Sequence, residues 1–383
     1  MRNVIRVLGR SLPFVFAAAF AATTAAAALP SVDVRRAAVV GDHVTAPLRD
    51  GGSARLSLDP KWQKVAERLL DAARAPEGAI VVSDVRTGKI IAWATRGKGG
   101  DYVSTPFAPT ASLFKIVTAT ALLESGKASP WTKQCFTGGE HTVRAKDLAS
   151  NGGETCSTLA EGIARSQNLV LAKLAHRLLS PPEIRRTATA FGFGVEPMID
   201  VAAPRSDVTI PDDPVGMSRA AAGFGQSHLA PLGALSMMQT IANGGERIKL
   251  SVLADSPARV SLGRAMSDKT ALELKHMLEA TTTRGTCAKV FRLPDGRRAL
   301  PHTPVAAKTG TLVTGKPQRM FSWFAGFAPS DKPQIAIAVM LGNDVRWWEK
   351  ANEVGRDFLK AYFEQPAPHA VASKTTPAAA RRR

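Results

Sequence analysis

Residues 78–94 read GAIVVSDVRTGKIIAWA and contain two short apolar runs on either side of a tight turn. The first run is Ala79 to Val82 and the second is Ile90 to Trp93. Between them, the sequence Arg-Thr-Gly ends at Gly88, a residue that adopts positive φ without a steric penalty. The pattern predicts two adjacent antiparallel strands.

The segments that flank this hairpin predict an α+β fold. Apolar residues recur with helical period over Pro60–Ala73 and again over Trp347–Tyr362, whereas residues 112 to 290 are mostly helical in pattern. The remaining strand-like runs are Val305–Lys308, Phe321–Ala328 and Gln334–Leu341. We therefore expect one antiparallel sheet formed by both chain ends and flanked by the first and last helices. An all-helical subdomain is inserted between its second and third strands, with a cleft at the junction.

The two ends of the chain differ in composition from this folded part. Three arginines precede an uncharged run at residues 11–29 that ends in small residues, which predicts an export signal over residues 1–29. An uncleaved membrane anchor is the alternative. Residues 30–55 are interpreted as a linker, 56–363 as the folded domain, and 364–383 as a disordered basic tail. The protein is expected in the periplasm or on the extracytoplasmic face.

The chain has three cysteines among 383 residues. In an oxidising compartment they allow one disulfide, and Cys135 with Cys156 is the expected pair because a short polar loop separates them. Cys287 would then remain a thiol. The alternative is that all three are reduced and packed in the interior.

The formal net charge is +18. Such an excess favours anionic partners, either a cell-wall polymer or an anionic membrane surface, through long-range attraction. Export argues against nucleic acid as the partner. A solvated basic surface that only aids solubility is the alternative.

Three short motifs carry candidate chemistry, and each pattern occurs once. They are Ser112-Leu113-Phe114-Lys115, Ser166-Gln167-Asn168 and Lys308-Thr309-Gly310-Thr311. Ser112 opens an apolar helical run that stops at Gly126. Because residues three apart share a helix face, Lys115 can bring its amine to the Ser112 hydroxyl. This pair predicts a nucleophile with its own base.

The other two motifs can adjust the first. Burial and a second cation such as Lys308 would lower the pKa of Lys115, which makes a lysine a competent base. Gly310 lacks a side chain and lets a substrate approach the strand edge. The N–H groups of Ser112 and Thr311 are the candidate oxyanion hole.

The order of the three motifs resembles that of the penicillin-binding protein and serine β-lactamase superfamily. The hairpin at 78–94 looks like the opening of the penicillin-binding transpeptidase domain, and so does FGFG at 191–194. GFGQSHLAPLGALSMMQTIANGG at 223–245 is similar to a glycine-led helical segment of that family. The resemblance covers residues 56 to 363.

The resemblance implies a peptidoglycan D,D-transpeptidase or D,D-carboxypeptidase that forms an acyl-serine at Ser112. It cleaves stem peptides ending in D-Ala-D-Ala, and β-lactams acylate the same serine. Lys115 acts as base, Ser166 relays protons and Lys308 completes the catalytic set. The residues expected to bind substrate are Asn168, Thr309, Gly310 and Thr311.

Two alternatives remain open from the sequence. A β-lactamase would need a base for deacylation, and Glu196 follows the second motif at a spacing that could supply one. The residues around Glu196 instead favour a surface or structural residue. A non-catalytic wall-binding or β-lactam-sensing module is the other.

We expect no metal, since the seven histidines show no paired ligand spacing, and no cofactor. Phe224, Trp323, Phe324 and Phe327 are assigned to the core rather than to the site.

Overall fold

The structure is a computed structural model that describes residues 28–138, 142–149, 153–315, 318–344 and 347–364. Most of the predicted export signal and of the predicted basic tail lies outside these residues. Among the described helices, none combines the length and apolar character needed to cross a membrane.

The central feature is a five-stranded antiparallel sheet in the order β12-β13-β14-β4-β5. Its strands are Glu77–Asp84 (β4), Ile90–Arg96 (β5), Ala306–Thr314 (β12), Arg319–Ala328 (β13) and Ile335–Asn343 (β14). The hairpin of residues 78–94 thus pairs with the C-terminal strands through β14. The predicted sheet built from both chain ends is confirmed.

Smaller ladders surround the central sheet. The remaining strands are Ala38–Val40 (β1), His43–Pro47 (β2), Ser53–Leu56 (β3), Ala108–Pro109 (β6), Lys133–Phe136 (β7), Thr155–Thr158 (β8), His228–Leu229 (β9), Glu246–Ile248 (β10) and Ser261–Arg264 (β11). The helices are Pro60–Ala73 (α1), Phe114–Glu124 (α2), Ala145–Leu148 (α3), Leu159–Ala164 (α4), Asn168–Leu178 (α5), Pro181–Ala190 (α6), Pro214–Ala221 (α7), Pro231–Ala242 (α8), Asp268–Thr283 (α9) and Ala351–Phe363 (α10). Two short 3₁₀ turns cover Val34–Arg36 and Ala111–Leu113.

The outer face of the sheet is covered by α1 and α10, as predicted. Asp59 caps α1 by accepting the backbone N–H of Lys61 at 2.8 Å. Apolar residues of both helices and of the strands beneath them form one continuous buried core. In the turn between β4 and β5, Gly88 has φ +79°, and a Cβ there would lie 2.3 Å from the Lys249 carbonyl oxygen. Only glycine fits this turn.

The other face of the sheet carries the insertion between β5 and β12. Helix α8 packs against β4, β13 and β14, and α2 lies among α4, α5, α6, α7 and α9. Every residue of α2 from Phe114 to Leu123 is buried, because its apolar side chains point in all directions. The insertion is mainly helical, and the structure adds the ladders β6–β9, β7–β8 and β10–β11 to it.

Residues 30–55, predicted to be an irregular linker, are instead ordered against the domain. Strands β1, β2 and β3 form an antiparallel sheet. Val44 and Ala46 are buried in the main core, while the other three residues of β2 are half-buried. This alternation is short and includes residues of weak hydropathy, so it left little signal in the sequence.

The expected disulfide between Cys135 and Cys156 is present, and it joins directly opposed residues of β7 and β8. Cys287 is a buried thiol. The bridge lies in the insertion.

We expect the double variant Cys135→Ser/Cys156→Ser to lose roughly 3 kcal/mol of unfolding free energy, the amount predicted by chain entropy for a loop of this length. Urea denaturation of oxidised proteins measures this loss. A reductant should lower the wild type to the level of the variant and leave the variant unchanged. Equal stability of both oxidised proteins would contradict the prediction.

Candidate active site

Ser112 lies at the start of the buried helix α2, in the 3₁₀ turn Ala111–Leu113 that leads into it. Thr110, the residue before this turn, donates its backbone N–H to the Ser227 carbonyl at 3.0 Å, which anchors the start of the turn. Ser112 itself is half-buried and lines a cleft. The helix interior therefore fixes the serine while its hydroxyl remains accessible.

The amine of Lys115 lies at the centre of the site and is fully buried. Its Nζ is 2.9 Å from Ser112 Oγ and 3.1 Å from Ser166 Oγ. It also donates to the Ser166 carbonyl at 2.8 Å and to Asn168 Oδ1 at 2.5 Å. One lysine thus connects the first motif with Ser166 and Asn168 of the second.

The donor and acceptor count at Lys115 is compatible with a neutral amine. The Ser166 carbonyl and Asn168 Oδ1 can only accept, so they take the two N–H groups of a neutral amine. The nitrogen lone pair is then free to accept the hydroxyl proton of Ser112. Burial, together with the nearby Lys308 ammonium, holds the pKa of Lys115 well below its ordinary value of 10.5.

Lys308 is the second buried lysine of the site. Its Nζ donates to Ser166 Oγ at 2.9 Å and to the Thr309 carbonyl at 2.9 Å. Burial lowers the pKa of Lys308 from 10.5 to about 7, against a smaller opposing effect of Cys287. Ser166 Oγ therefore lies between two amines that both resist protonation.

Two residues of the site have a backbone conformation that is unfavourable for anything but glycine. Ala111 has φ +47° and Ser166 has φ +57°. Gly223 packs against the first of them, and a Cβ on it would lie 2.3 Å from the Ala111 carbonyl oxygen. The glycine that opens residues 223–245 thus keeps the turn before Ser112 in place.

The third motif lies on β12, which is an edge strand of the central sheet. A Cβ on Gly310 would lie 3.4 Å from the backbone nitrogen of Ser112 and 3.3 Å from the Cβ of Ala111. Because Gly310 has no side chain, the edge of β12 can lie next to Ser112, the candidate nucleophile. Thr309 Oγ1 is held 2.6 Å from Thr286 Oγ1.

A cleft of about 610 Å3 lies over these groups. Of the predicted site residues, those that line it are Ser112, Ser166, Asn168, Thr309, Gly310 and Thr311, and Lys115 and Lys308 lie buried beneath. Sequence reasoning missed Thr286, Lys350 and Asn352, which also line the cleft but belong to no motif. Trp323 lies in the main core, as predicted, and also borders the cleft, whereas Phe224, which was assigned to the core, is half-buried and contributes to the wall of the cleft. Glycine on either side of Phe224 was the one available signal for it.

Glu196 is a surface residue, as predicted. Its side chain is 67% exposed and accepts a hydrogen bond from Arg205 Nε at 2.8 Å. It does not line the cleft. The carboxylate that a rapid deacylation would require is therefore not supplied by Glu196.

Residues 78–360 match the penicillin-binding protein transpeptidase domain family. The chain belongs to this family. The resemblance inferred from the three motifs is confirmed, and the match extends over both halves of the central sheet and the whole insertion.

Several relatives of this transpeptidase-family chain are longer than it is. Stage V sporulation protein D of Bacillus subtilis is 27% identical over 338 residues, which cover 78% of this chain and 50% of that protein. Peptidoglycan D,D-transpeptidase PbpA of Mycobacterium tuberculosis is 24% identical over 344 residues, which cover 76% of this chain and 68% of that protein. The chain spans about half the length of the sporulation protein and of PbpB from Mycolicibacterium smegmatis.

Solved structures share the fold. Penicillin-binding protein A of M. tuberculosis, in a ceftriaxone acyl-enzyme complex, superposes with a TM-score of 0.69 at 20% identity, covering 82% of this chain and 80% of that chain. The D,D-transpeptidase domain of a peptidoglycan glycosyltransferase from Eggerthella lenta gives a TM-score of 0.66 at 23% identity, covering 81% and 82%. These similarities confirm the predicted fold class.

The lowered pKa of Lys308 predicts a pH-dependent stability. Between pH 7 and 10.5 the unfolded chain holds a proton on this lysine that the folded chain does not hold. The unfolding free energy therefore rises with pH over this window and loses that contribution as pH falls. Between pH 7 and pH 10.5 we expect the unfolding free energy of the wild type to rise by on the order of 4 kcal/mol more than that of Lys308→Met.

Chemical denaturation at several pH values measures this difference. Comparing the two proteins cancels the titration of shared groups that Lys308 does not influence. Lys115 is the exception: its pKa is lowered in part by Lys308, so its change adds to the expected difference in the same direction. Parallel stability curves for wild type and Lys308→Met across the window would contradict a lowered pKa at Lys308.

Proposed function

We propose that this protein is a peptidoglycan D,D-transpeptidase or D,D-carboxypeptidase with Ser112 as its nucleophile. The observation that carries the proposal is the buried amine of Lys115, which lies 2.9 Å from Ser112 Oγ and whose pKa is held well below its ordinary value by burial and by Lys308. A serine needs such a base to become nucleophilic at neutral pH. The family match and the relatives named as D,D-transpeptidases support the same reaction.

In the first step, Ser112 Oγ attacks the carbonyl carbon between the two D-alanines of a stem peptide. Lys115 Nζ takes the hydroxyl proton while the new C–O bond forms. The C–N bond then breaks, and the leaving D-alanine amine receives a proton through Ser166 Oγ, which lies 3.1 Å from Lys115 Nζ. An acyl-serine remains.

In the second step, an amine or a water molecule attacks the acyl-serine. The attacking group loses its proton to Lys115, and Ser112 Oγ leaves as a hydroxyl with that proton. An amine acceptor gives a cross-link, whereas water gives a shortened peptide. A β-lactam enters by the first step, because its strained amide presents a carbonyl to Ser112.

The N–H groups of Ser112 and Thr311 are the proposed oxyanion hole. Both residues line the cleft, and Gly310 brings the edge of β12 next to the Ser112 nitrogen. Two preorganised donors of this kind typically lower the barrier by several kcal/mol. Asn168, Thr309 and Thr311 supply polar groups that orient the peptide, and Gly310 leaves room for its backbone.

We propose that the protein acts outside the cytoplasm, in the periplasm or on the extracytoplasmic face. The disulfide between Cys135 and Cys156 supports this location, since such bonds persist in oxidising compartments. The export signal or anchor proposed for residues 1–29 gives the route.

Labelling with a fluorescent penicillin tests the nucleophile. We expect the wild type to form a covalent adduct that is stable for hours, and Ser112→Ala to form none, because the ester oxygen is absent. Ser53→Ala removes an exposed hydroxyl in β3, outside the cleft, and should label like the wild type.

The time course separates the alternatives. Rapid loss of label from intact protein would indicate a β-lactamase, and labelling of Ser112→Ala would overturn the assigned nucleophile. Incubation with a D-Ala-D-Ala peptide then measures turnover, where release of D-alanine that depends on Ser112 excludes a non-catalytic binding module.

The basic charge of the chain is proposed to hold it near an anionic wall polymer. Four exposed cations occur close together in sequence, at Arg284, Lys289, Arg292 and Arg298. Within the described part of the chain, none of them forms an ion pair. We expect pelleting with purified wall to weaken about tenfold or more as salt rises from low to high ionic strength, because exposed charges are screened.

The variant Arg292→Gln/Arg298→Gln should bind the wall more weakly at low salt than the wild type. Vesicles with anionic headgroups, tested in parallel, distinguish a lipid surface from the polymer. Binding to wall that does not change with salt would remove the electrostatic explanation.

A further inference from the structure

The cleft extends to both faces of the edge strand β12. Directly opposed residues of neighbouring strands share a face of the sheet. Gly310 is paired with Trp323, whose indole N–H donates to the Pro109 carbonyl at 2.9 Å on the insertion side. Thr309 is paired with Phe324, which packs on Phe291 and α10 at the outer face. The cleft therefore reaches from the insertion side to the outer side of the strand.

The part of the cleft on the outer side, here called the outer lobe, is mainly polar. Its polar residues carry hydroxyl groups, one amide and one ammonium group. They are Thr286, Thr309, Thr311, Ser322, Lys350 and Asn352. Such a set binds negatively charged or strongly polar oxygen atoms.

Lys350 is the only charged residue among the described residues that line the cleft, and none of the lining residues is acidic. Its ammonium group lies 4.5 Å from the centroid of the Trp347 ring. In the described chain no carboxylate forms an ion pair with it, and Glu353 accepts the backbone N–H of Lys350, at 2.8 Å. The cation is thus held at the cleft by an aromatic ring without a protein counterion.

The surroundings strengthen a charge pair at this position. Trp347, whose ring contacts the ammonium group, is 45% exposed, and Val313, which lines the same cleft, is 54% exposed, so both present apolar surface to the cleft. An ion pair beside apolar groups is screened less than one in open water.

The direction of the substrate follows from the proposed proton relay. Ser166 delivers a proton to the leaving amine, so the leaving group lies towards Ser166 and Lys308. The acyl part then runs along β12 in the other direction, from Thr311 towards Val313. Lys350 lies on this side, because the next residue, Ala351, donates its backbone N–H to Ser322 Oγ at 3.2 Å, and Ser322 is the residue opposite Thr311.

We propose that Lys350, on the outer side of the cleft, binds a carboxylate on the acyl part of the substrate, separate from the C-terminal carboxylate of the leaving D-alanine. Lys350 is thus a specificity residue, which favours acyl donors with a free carboxylate over neutral ones. This inference rests on the proposed function and deepens it.

Two penicillins that differ by one carboxylate test the inference. Carbenicillin carries a side-chain carboxylate that benzylpenicillin lacks, and in both drugs the side chain stands for the acyl part of the substrate. The measured quantity is the ratio of the second-order acylation rate constants, carbenicillin over benzylpenicillin. We expect Lys350→Met to lower this ratio about fivefold, the effect of one partly exposed ion pair.

Three matched variants sharpen the result. Lys350→Arg should restore most of the ratio because it keeps the charge, and Lys350→Glu should lower it below that of Lys350→Met. Lys332→Met removes an exposed lysine in the turn between β13 and β14, outside the cleft, and should leave the ratio unchanged. High salt should lower the wild-type ratio towards that of Lys350→Met.

The outcomes distinguish this inference from the proposed function. If both drugs label the wild type at Ser112 but the ratio is the same in Lys350→Met, the inference fails and the function stands. An equal fall of both rate constants in Lys350→Met, with no change of ratio, would assign the lysine a structural role and also overturn the inference. If neither drug labels the wild type, the proposed function itself fails.

Discussion

The packing of two lysine amines around one serine hydroxyl is the constraint on which the site depends. Lys115 and Lys308 are both without solvent exposure, and Ser166 Oγ lies within 3.1 Å of both nitrogens. Two ammonium groups at such a place would repel each other in a medium that screens poorly. The arrangement therefore favours the loss of a proton from at least one of the two amines in the folded chain.

The fold supplies this constraint from elements that are far apart in sequence. Lys115 belongs to α2 in the insertion, whereas Lys308 belongs to an edge strand of the sheet. Ser166 occupies the connection between α4 and α5 with φ +57°. A strained backbone of this kind persists only where the surrounding structure holds it, and here the buried surroundings of α2 and the sheet do so. Sheet and insertion have to be assembled before the three groups meet.

Much of this could be predicted from the sequence, because the signals were local. The hairpin at 78–94, the helices α1 and α10 and the three motifs each rest on period or spacing within a few residues. The sheet formed by β1, β2 and β3 was missed because its strands are too short for a clear alternation. Thr286, Lys350 and Asn352 were missed for another reason: they reach the cleft only through tertiary packing, and no nearby residue marks them.

The position of β12 at the border of the sheet has a consequence for recognition. The outer edge of such a strand offers a row of unpaired backbone donors and acceptors, and natural proteins normally protect this row from other chains. Here the row faces the cleft, so an extended peptide can join the sheet as a sixth strand. Recognition of this type depends first on hydrogen bonds to the main chain of the ligand and only then on its side chains. A ligand that reproduces the hydrogen-bonding pattern of a strand could therefore compete for the cleft without any reactive group.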